Sequence, residues 1–202
     1  MAAPAEFVAP FDPLLTRKDQ RIVLHGISWQ TYSMLREALD TPGLRMTYLE
    51  GALELMSPSP EHELYKTMIA RLVEMFAIER DVPLYGYGST TFRKQAKERG
   101  LEPDECYCVG GELRDYPDIA IEVVVTSGGV NKLAVYEGLG VREVWFWIEN
   151  RFSIHRLGSS GYEAFESSAL IPSLDFALLS RFVQRTDQPV AIREYRDALR
   201  GA

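Results

Sequence analysis

Cysteine and histidine are scarce in this chain, with two of the first and three of the second among 202 residues. Cys106 and Cys108 stand two apart on one strand-like run, so their side chains point the same way from a short segment that cannot close a structural disulfide. With His25, His62 and His155 as the only imidazoles, there are too few soft ligands for a zinc centre, and the cysteines read as small apolar fillers. No apolar run reaches the length needed to span a bilayer. The opening MAAPAEFVAPFDP has neither the basic flank nor the sustained apolar core of a signal peptide. The expected location is therefore cytoplasmic, with no membrane partner. Positive charge is also short, at 22 Lys and Arg against 29 Asp and Glu, a net −7. That balance argues against a large footprint on a nucleic-acid duplex, where affinity comes from neutralising phosphates. The basic residues that do cluster are Arg93, Lys94, Lys97 and Arg99, and separately Arg193, Arg196 and Arg200. Both groups are interleaved with acids and read as solvated faces. Internal repeats and low-complexity segments are absent too.

What is present suits one soluble domain: 46% hydrophobic and 25% charged residues, on a chain long enough to bury a substantial core. Residues 1–25 carry Pro4, Pro10 and Pro13 with little periodicity, and are expected to form an N-terminal arm, draped over the surface or partly disordered. Ser28 caps an expected helix, SWQTYSMLREALD, which Thr41-Pro42-Gly43 ends. MTYLEGALELMS then alternates around Glu50-Gly51 as a β-hairpin. Ser59-Pro60 is a strong helix start, cap followed by proline at the first helical position. The helix it opens, Pro60 to about Arg80, has an apolar face at Tyr65, Met68, Ile69, Leu72, Val73 and Phe76. Glu61 projects to that face in the first turn, Glu63 points away, and His62 lies at its edge, where a structural or substrate-contact role is expected. LYGYGSTTFRK reads as one strand with permissive glycines, feeding a charged linker through Gly100. EVWFWI is a further apolar strand, and a hairpin closes through Gly158-Ser159-Ser160-Gly161. A short docking helix is expected in SLDFALLSRFVQ. The last segment, 186–202, is expected to be a tail or helix outside a domain spanning 26–185, with IREYRDALR available for a dimer contact.

The chemistry concentrates between Leu101 and Tyr136. Ile119 to Val125, IAIEVVV, is the kind of β-branched run that forms a strand covered on both faces, and Glu122 sits in its middle. A carboxylate buried there needs a cation, a metal or strong donors. The preceding PDECYCV is also strand-like. If the two strands are neighbours, Asp104 and Glu122 can converge on one ion. Thr126, Ser127, Gly128 and Gly129 offer caps for a following helix, in which Lys132 shares the apolar side with Val135, Tyr136 and Leu139 and leans back toward Glu122. Asp118, also preceded by proline, is the rival to Asp104. It lies four residues from Glu122 along one strand, roughly 13 Å away. A strand, Gly-rich turn, helix and strand also suit a dinucleotide-binding unit, but SGG is not GxGxxG and that reading leaves Glu122 unexplained.

Pro103-Asp104, Glu122 and Lys132 resemble a variant of the PD-(D/E)XK nuclease signature. Val124 stands where the usual lysine would, and Lys132 matches the known variation that moves it to the following helix. Over residues 46–183 the chain resembles the Uma-two family of restriction-like endonucleases. LELMSPSPEHELYKTMIARLVE, GSTTFRK, GLEPDECY, PDIAIEVVVTS and YEGLGVREVWFW carry the match in order. The resemblance implies an α/β fold with a restriction-endonuclease-like mixed central sheet flanked by helices, extended by an N-terminal helix and hairpin. It implies metal-dependent phosphodiester hydrolysis of DNA, with Asp104 and Glu122 holding Mg²⁺ or Mn²⁺ and Lys132 orienting or activating water. Glu61 would be an extra metal or water ligand. A homodimer is expected, since cutting both strands of a duplex takes two sites. The competing class is a binding or assembly module that keeps the fold without cleavage, and a hydrolase of a smaller phosphorylated substrate is a third.

Overall fold

A computed structural model describes residues 18–41, 43–111, 114–126 and 128–201. Two sheets divide the described strands. The first begins with β1 (Gln20–Leu24), which is followed by helix α1 (Trp29–Ala38), capped by the Ser28 hydroxyl that accepts from Thr31 N at 3.1 Å. The hairpin β2 (Arg45–Leu49) and β3 (Ala52–Ser57) comes next. Helix α2 (Pro60–Glu79) starts where Ser59 caps and Pro60 needs no hydrogen-bond partner. After β4 (Leu84–Gly86), strands β5 (Phe92–Lys94) and β6 (Arg99–Leu101) return to the first sheet, whose order is β1-β3-β2-β6-β5.

The second sheet is built from β7 (Glu105–Val109), β8 (Ile119–Val124), β9 (Glu143–Ile148), β10 (Arg151–Gly158) and β11 (Gly161–Phe165) together with β4. Its order is β11-β10-β9-β8-β7-β4, and the β8–β9 pair is parallel while its other pairs are antiparallel. Helix α3 (Lys132–Leu139) makes the crossover between β8 and β9. Helices α4 (Phe176–Val183) and α5 (Gln188–Arg200) follow. One face of β8, Ile119, Ile121 and Val123, packs into a core shared with α2, α4 and α5. On the other face, Ala120 packs with Cys106 and with Val135, Tyr136 and Leu139 of α3. This is the mixed α/β fold expected, with the N-terminal hairpin set between β1 and β6 in a separate sheet.

Four local expectations are corrected. Gln20–Leu24 is not draped: it pairs antiparallel with β3, Gln20 opposite Ser57 and Leu24 opposite Leu53. The strand is too short and too charged at its start to show a period, and only the hairpin beside it makes it pair. Residues 1–17 of the expected arm lie outside the described residues. LYGYGSTTFRK is two strands in different sheets, because the chain turns at Gly88, φ +60°, where the Tyr87 amide bonds Cys106 O at 3.0 Å. The charged stretch after it is a single 3₁₀ turn and a hairpin strand, with Glu98 at φ +48°. The α3 cap is Asn131, whose Oδ1 accepts from Ala134 N at 3.3 Å, in place of the residues at 126–129, among which Ser127 lies outside the described residues.

Helix α5 is no loose tail. Ala191, Tyr195 and Leu199 are buried in the main core, and Arg200 pairs with Glu79 of α2 at 2.7 Å. No helix among the described residues is long and apolar enough to cross a membrane.

The first sheet carries a tight steric fit. A Cβ on Gly100 would stand 2.4 Å from the Tyr32 hydroxyl and 3.0 Å from its Cζ. Tyr32 is fully buried and stacked on Tyr48 at 4.8 Å, so it has no free volume to move into. Gly100→Ala is expected to cost about 1–3 kcal/mol, the range for an overpacked core. Thermal melts of the single variant and of Gly100→Ala with Tyr32→Phe check this. The pair should recover part of the loss, because the nearest clashing atom has gone, and a lone variant as stable as the wild type refutes the fit.

Candidate active site

In the β7–β8 pairing, Glu105 faces Ile121 and Cys106 faces Ala120. Continued one step beyond the paired residues, that register brings Asp104, just ahead of β7, level with Glu122. Both are buried, at 1% and 0% exposure. Asp104 Oδ2 accepts from the Val123 amide at 2.7 Å, which ties the end of β7 to β8 through a side chain. Glu122 is held from α3: Lys132 Nζ donates to Oε2 and the Tyr136 hydroxyl to Oε1. Lys132 and Tyr136 are four apart, so they share one helix face, and the Asn131 cap begins the helix where that face meets Glu122.

Of the four residues named from sequence, Asp104, Glu122 and Lys132 are thus brought together, and Glu61 is not. Glu61 is exposed at the start of α2 and accepts from the Tyr65 hydroxyl at 3.2 Å. It borders a cleft of about 300 Å³ with Val124, Val125 and Trp147, beyond the end of β8. The first-turn residue that turns fully inward is His62, at 0% exposure. A helical wheel places positions 61 and 62 on the two flanks of the same stripe, and only the approach of β7 decides which flank is covered. Asp118, the rival, is held at the other end of β8 by Arg114 at 2.5 Å, Arg142 at 3.3 Å and the Val109 amide at 2.9 Å.

Three further groups complete the cluster without having been singled out for it in the sequence. His62 Nε2 lies 2.9 Å from Asp104 Oδ1, and its Nδ1 lies 3.2 Å from Asp19 Oδ2. Asp19 also accepts from the Ser59 amide at 2.9 Å, at the cap of α2. Arg45 of β2, 8% exposed, brings Nε to 3.7 Å from Asp104 Oδ1 and pairs with Glu63 at 3.4 Å. Ser59-Pro60 in the sequence signalled the helix start that aims His62, but nothing in the spacing joined position 19 to position 62.

The charges explain how so many ionisable groups share one interior. Asp19, Asp104 and Glu122 oppose His62, Arg45 and Lys132, three against three, and a buried charge is tolerable when it is paired and hydrogen-bonded. Burial works to raise Asp104, but the hydrogen bond and charge of His62, with Lys132 and Arg45, hold it well below the usual carboxylate range. Burial disfavours a charged His62 ring, yet the bonds and charges of Asp104 and Asp19 outweigh this and raise it to about 9. Two ionised carboxylates can only accept, so both ring nitrogens carry protons. Burial raises Glu122, Lys132 opposes that rise, and the facing Asp104 charge adds to it. Burial raises Tyr136, and the Glu122 charge adds to it, so it stays a neutral donor.

Lys132 also borders a cleft of about 190 Å³, with Arg21, Gly128, Val130, Asn131 and Phe146. Val124 lies between this cleft and the one beside Glu61, so the C-terminal end of β8 is flanked by two openings. Among the described residues no group of three or more His, Cys, Asp or Glu is placed to hold a metal ion. Asp104 and Glu122 are a pair of hard oxygen donors, which suits Mg²⁺, an ion commonly bound through one or two carboxylates and completed by water and substrate phosphate. Cys106 and Cys108 are buried free thiols, with Cys106 Sγ 3.2 Å from Gly88 O, in the filler role expected. Within the basic clusters, Arg99 pairs with Glu50 at 2.9 Å and Arg196 with Asp197 at 3.0 Å.

Residues 29–183 match the family model Uma2, described as "Putative restriction endonuclease". Among solved structures, the chain is similar to a putative nuclease belonging to DUF820 from Anabaena variabilis ATCC 29413, at 15% identity and a TM-score of 0.50. That likeness covers 74% of this chain and 98% of the other, and it concerns the fold. Comparison with curated proteins found no match.

Proposed function

This chain belongs to the Uma2 family of restriction-endonuclease-like proteins, and from that premise we propose that it is a metal-dependent phosphodiesterase, most directly an endonuclease acting on DNA. The observation that carries the reading is the pair Asp104, just ahead of β7 and bonded to the Val123 amide, and Glu122 of β8, with Lys132 of α3 on the Glu122 carboxylate at the edge of an open cleft. Asp104 and Glu122 would hold Mg²⁺ or Mn²⁺, and a bound ion lowers the pKa of its water and stabilises charge on a phosphate. The chain's own residues do the rest. Val123 N–H and His62 fix the Asp104 carboxylate, and Tyr136 fixes Glu122. Lys132, charged and at the cleft, orients the attacking water and offers a donor to the phosphate oxygen on which charge develops. Glu61 borders the neighbouring cleft, where it would meet a flanking part of the substrate or a second water.

One observation favours the non-catalytic alternative. Each oxygen of Asp104 and Glu122 already accepts from a protein donor. Calorimetric titration with Mn²⁺, run beside plasmid nicking in Mg²⁺ or Mn²⁺ with a chelator control, separates the two. Binding and nicking by the wild type, both lost in Asp104→Asn, are expected. A wild type that neither binds Mn²⁺ nor cuts duplex, single-stranded DNA or RNA moves the chain to a binding or assembly role. We also propose a two-fold homodimer, because paired cuts require paired sites. Sedimentation velocity is expected to show twice the chain mass, and a strict monomer counts against double-strand cleavage.

A further inference from the structure

Asp19 lies ahead of residues 29–183, the stretch that matches the family, yet it is buried against the site. We infer that Asp19 is a positioning residue, acting through His62 to hold the Asp104 carboxylate in register with Glu122. The inference rests on the metal-binding reading of Asp104 and Glu122 and adds to it a residue that lies ahead of the stretch matching the family model.

The geometry is a continuous line. Asp19 Oδ1 takes the Ser59 amide at 2.9 Å, and Oδ2 lies 3.2 Å from His62 Nδ1. His62 Nε2 then lies 2.9 Å from Asp104 Oδ1. An imidazole held at one nitrogen can still rock about its χ2 torsion, whereas anchoring both nitrogens fixes the ring plane and so the oxygen it meets. Strand pairing gives the line its rigidity. Gln20 is in register with Ser57, so Asp19 is delivered to the turn that opens α2.

The same strand reaches the other side of the site. Two residues on, Arg21 donates to Gly128 O and lies 3.7 Å from Glu54 Oε2. Glu54 in turn accepts from the Val130 amide at 3.0 Å, on the loop that leads into Lys132. Gly129 in that loop has no room for a side chain, since a Cβ would fall 1.7 Å from Glu54 Oε2. Strand β1 therefore holds both the Asp104 side and the Lys132 side.

The test uses the full chain and Asp19→Asn, which keeps an oxygen for Ser59 N–H but can present an amide N–H to the ring, with Asp19→Glu as the conservative partner. Mn²⁺ affinity by calorimetry and kcat on a plasmid should each fall about 10–100-fold in Asp19→Asn, the usual effect of losing a group that orients a metal ligand. KM for DNA should be unchanged, and Asp19→Glu should recover part of both losses. A purely structural Asp19 would lower the melting temperature and leave Mn²⁺ affinity and kcat of the folded protein at wild-type values, which overturns the inference. A wild type that binds no Mn²⁺ would instead overturn the metal reading, and the anchor is then judged on the ring itself. With three histidines in the chain, the His62 Nδ1–H proton resonance can be assigned using His62→Gln. A slowly exchanging signal in the wild type, lost in Asp19→Asn, upholds the anchor, and the same signal in both overturns it.

Discussion

Lys132→Met should lower the cleavage rate about 10²–10³-fold while leaving Mn²⁺ affinity equal to or higher than that of the wild type. The rate loss is the size expected for removing one preorganised donor from a site where charge develops. The affinity follows from competition: the Lys132 ammonium sits on the same Glu122 carboxylate that a cation would use, so removing it frees an acceptor and a negative charge. Methionine keeps the length and an apolar stem in a cleft that Val130 and Leu133 also line. The metal-free variant should melt lower than the wild type, because Glu122 loses its buried countercharge. Mn²⁺ should restore most of that loss. A variant that cuts at the wild-type rate would remove Lys132 from the chemistry, and one that loses Mn²⁺ binding would make it a scaffold for the carboxylates.

In the metal-free protein, stability should fall by about 3 kcal/mol between pH 6.5 and 9 on account of His62 alone. The ring titrates near 6.5 in the unfolded chain and at about 9 in the folded one. A raised basic pKa means that the folded state holds the proton more tightly, so the contribution is complete below pH 6.5 and gone above pH 9. A difference of about 2.5 units at 1.36 kcal/mol per unit gives the magnitude. For a chain of this length that is about 6–12 °C in melting temperature. Glu105 acts in a lower window: burial raises it to about 7 from 4.5, so its ionisation also removes stability, between those two values. Asp19 and Asp104 have the opposite sign, lowered by their partners and losing their contribution only in acid, below about pH 4. The difference between wild type and His62→Gln across pH 6.5–9 therefore isolates the ring. A difference that stays constant over that window would show that the ring is neutral in the fold.

Much of the fold and part of this cluster could be read from residues in a row. Ser59-Pro60 marks the start of α2, and the Gly158 to Gly161 turn closes β10 on β11. An acid inside a β-branched run marked Glu122 as a residue needing a partner, and helical spacing supplied Lys132. What could not be read depends on which segments meet. Nothing in QRIVL says that it pairs with β3, and so nothing placed Asp19 beside His62. The division of residues 84–94 between two sheets is decided by their neighbours β7 and β6, not by any change in pattern. Glu61 and His62 exchange places for the same reason, since a wheel gives a face and not the strand end that covers it.

The pairing of Glu122 with residues of the following helix bears on the order in which the chain folds. His62 and Asp19 are 43 residues apart, and Arg21 and Gly128 are 107 apart. A chain leaving the ribosome carries Asp19, His62 and Asp104 well before α3 has emerged. Strand β8 then holds a carboxylate whose cationic partner does not yet exist, and docking it into the sheet would strand a charge in an apolar layer. Stable docking of β8 is therefore expected only once Lys132 and Tyr136 are available to hold Glu122, and the parallel β8–β9 pair needs the intervening helix in any case. Fragments that end before α3 carry both carboxylates but lack the Lys132 and Tyr136 that hold Glu122, so they are expected not to form this arrangement.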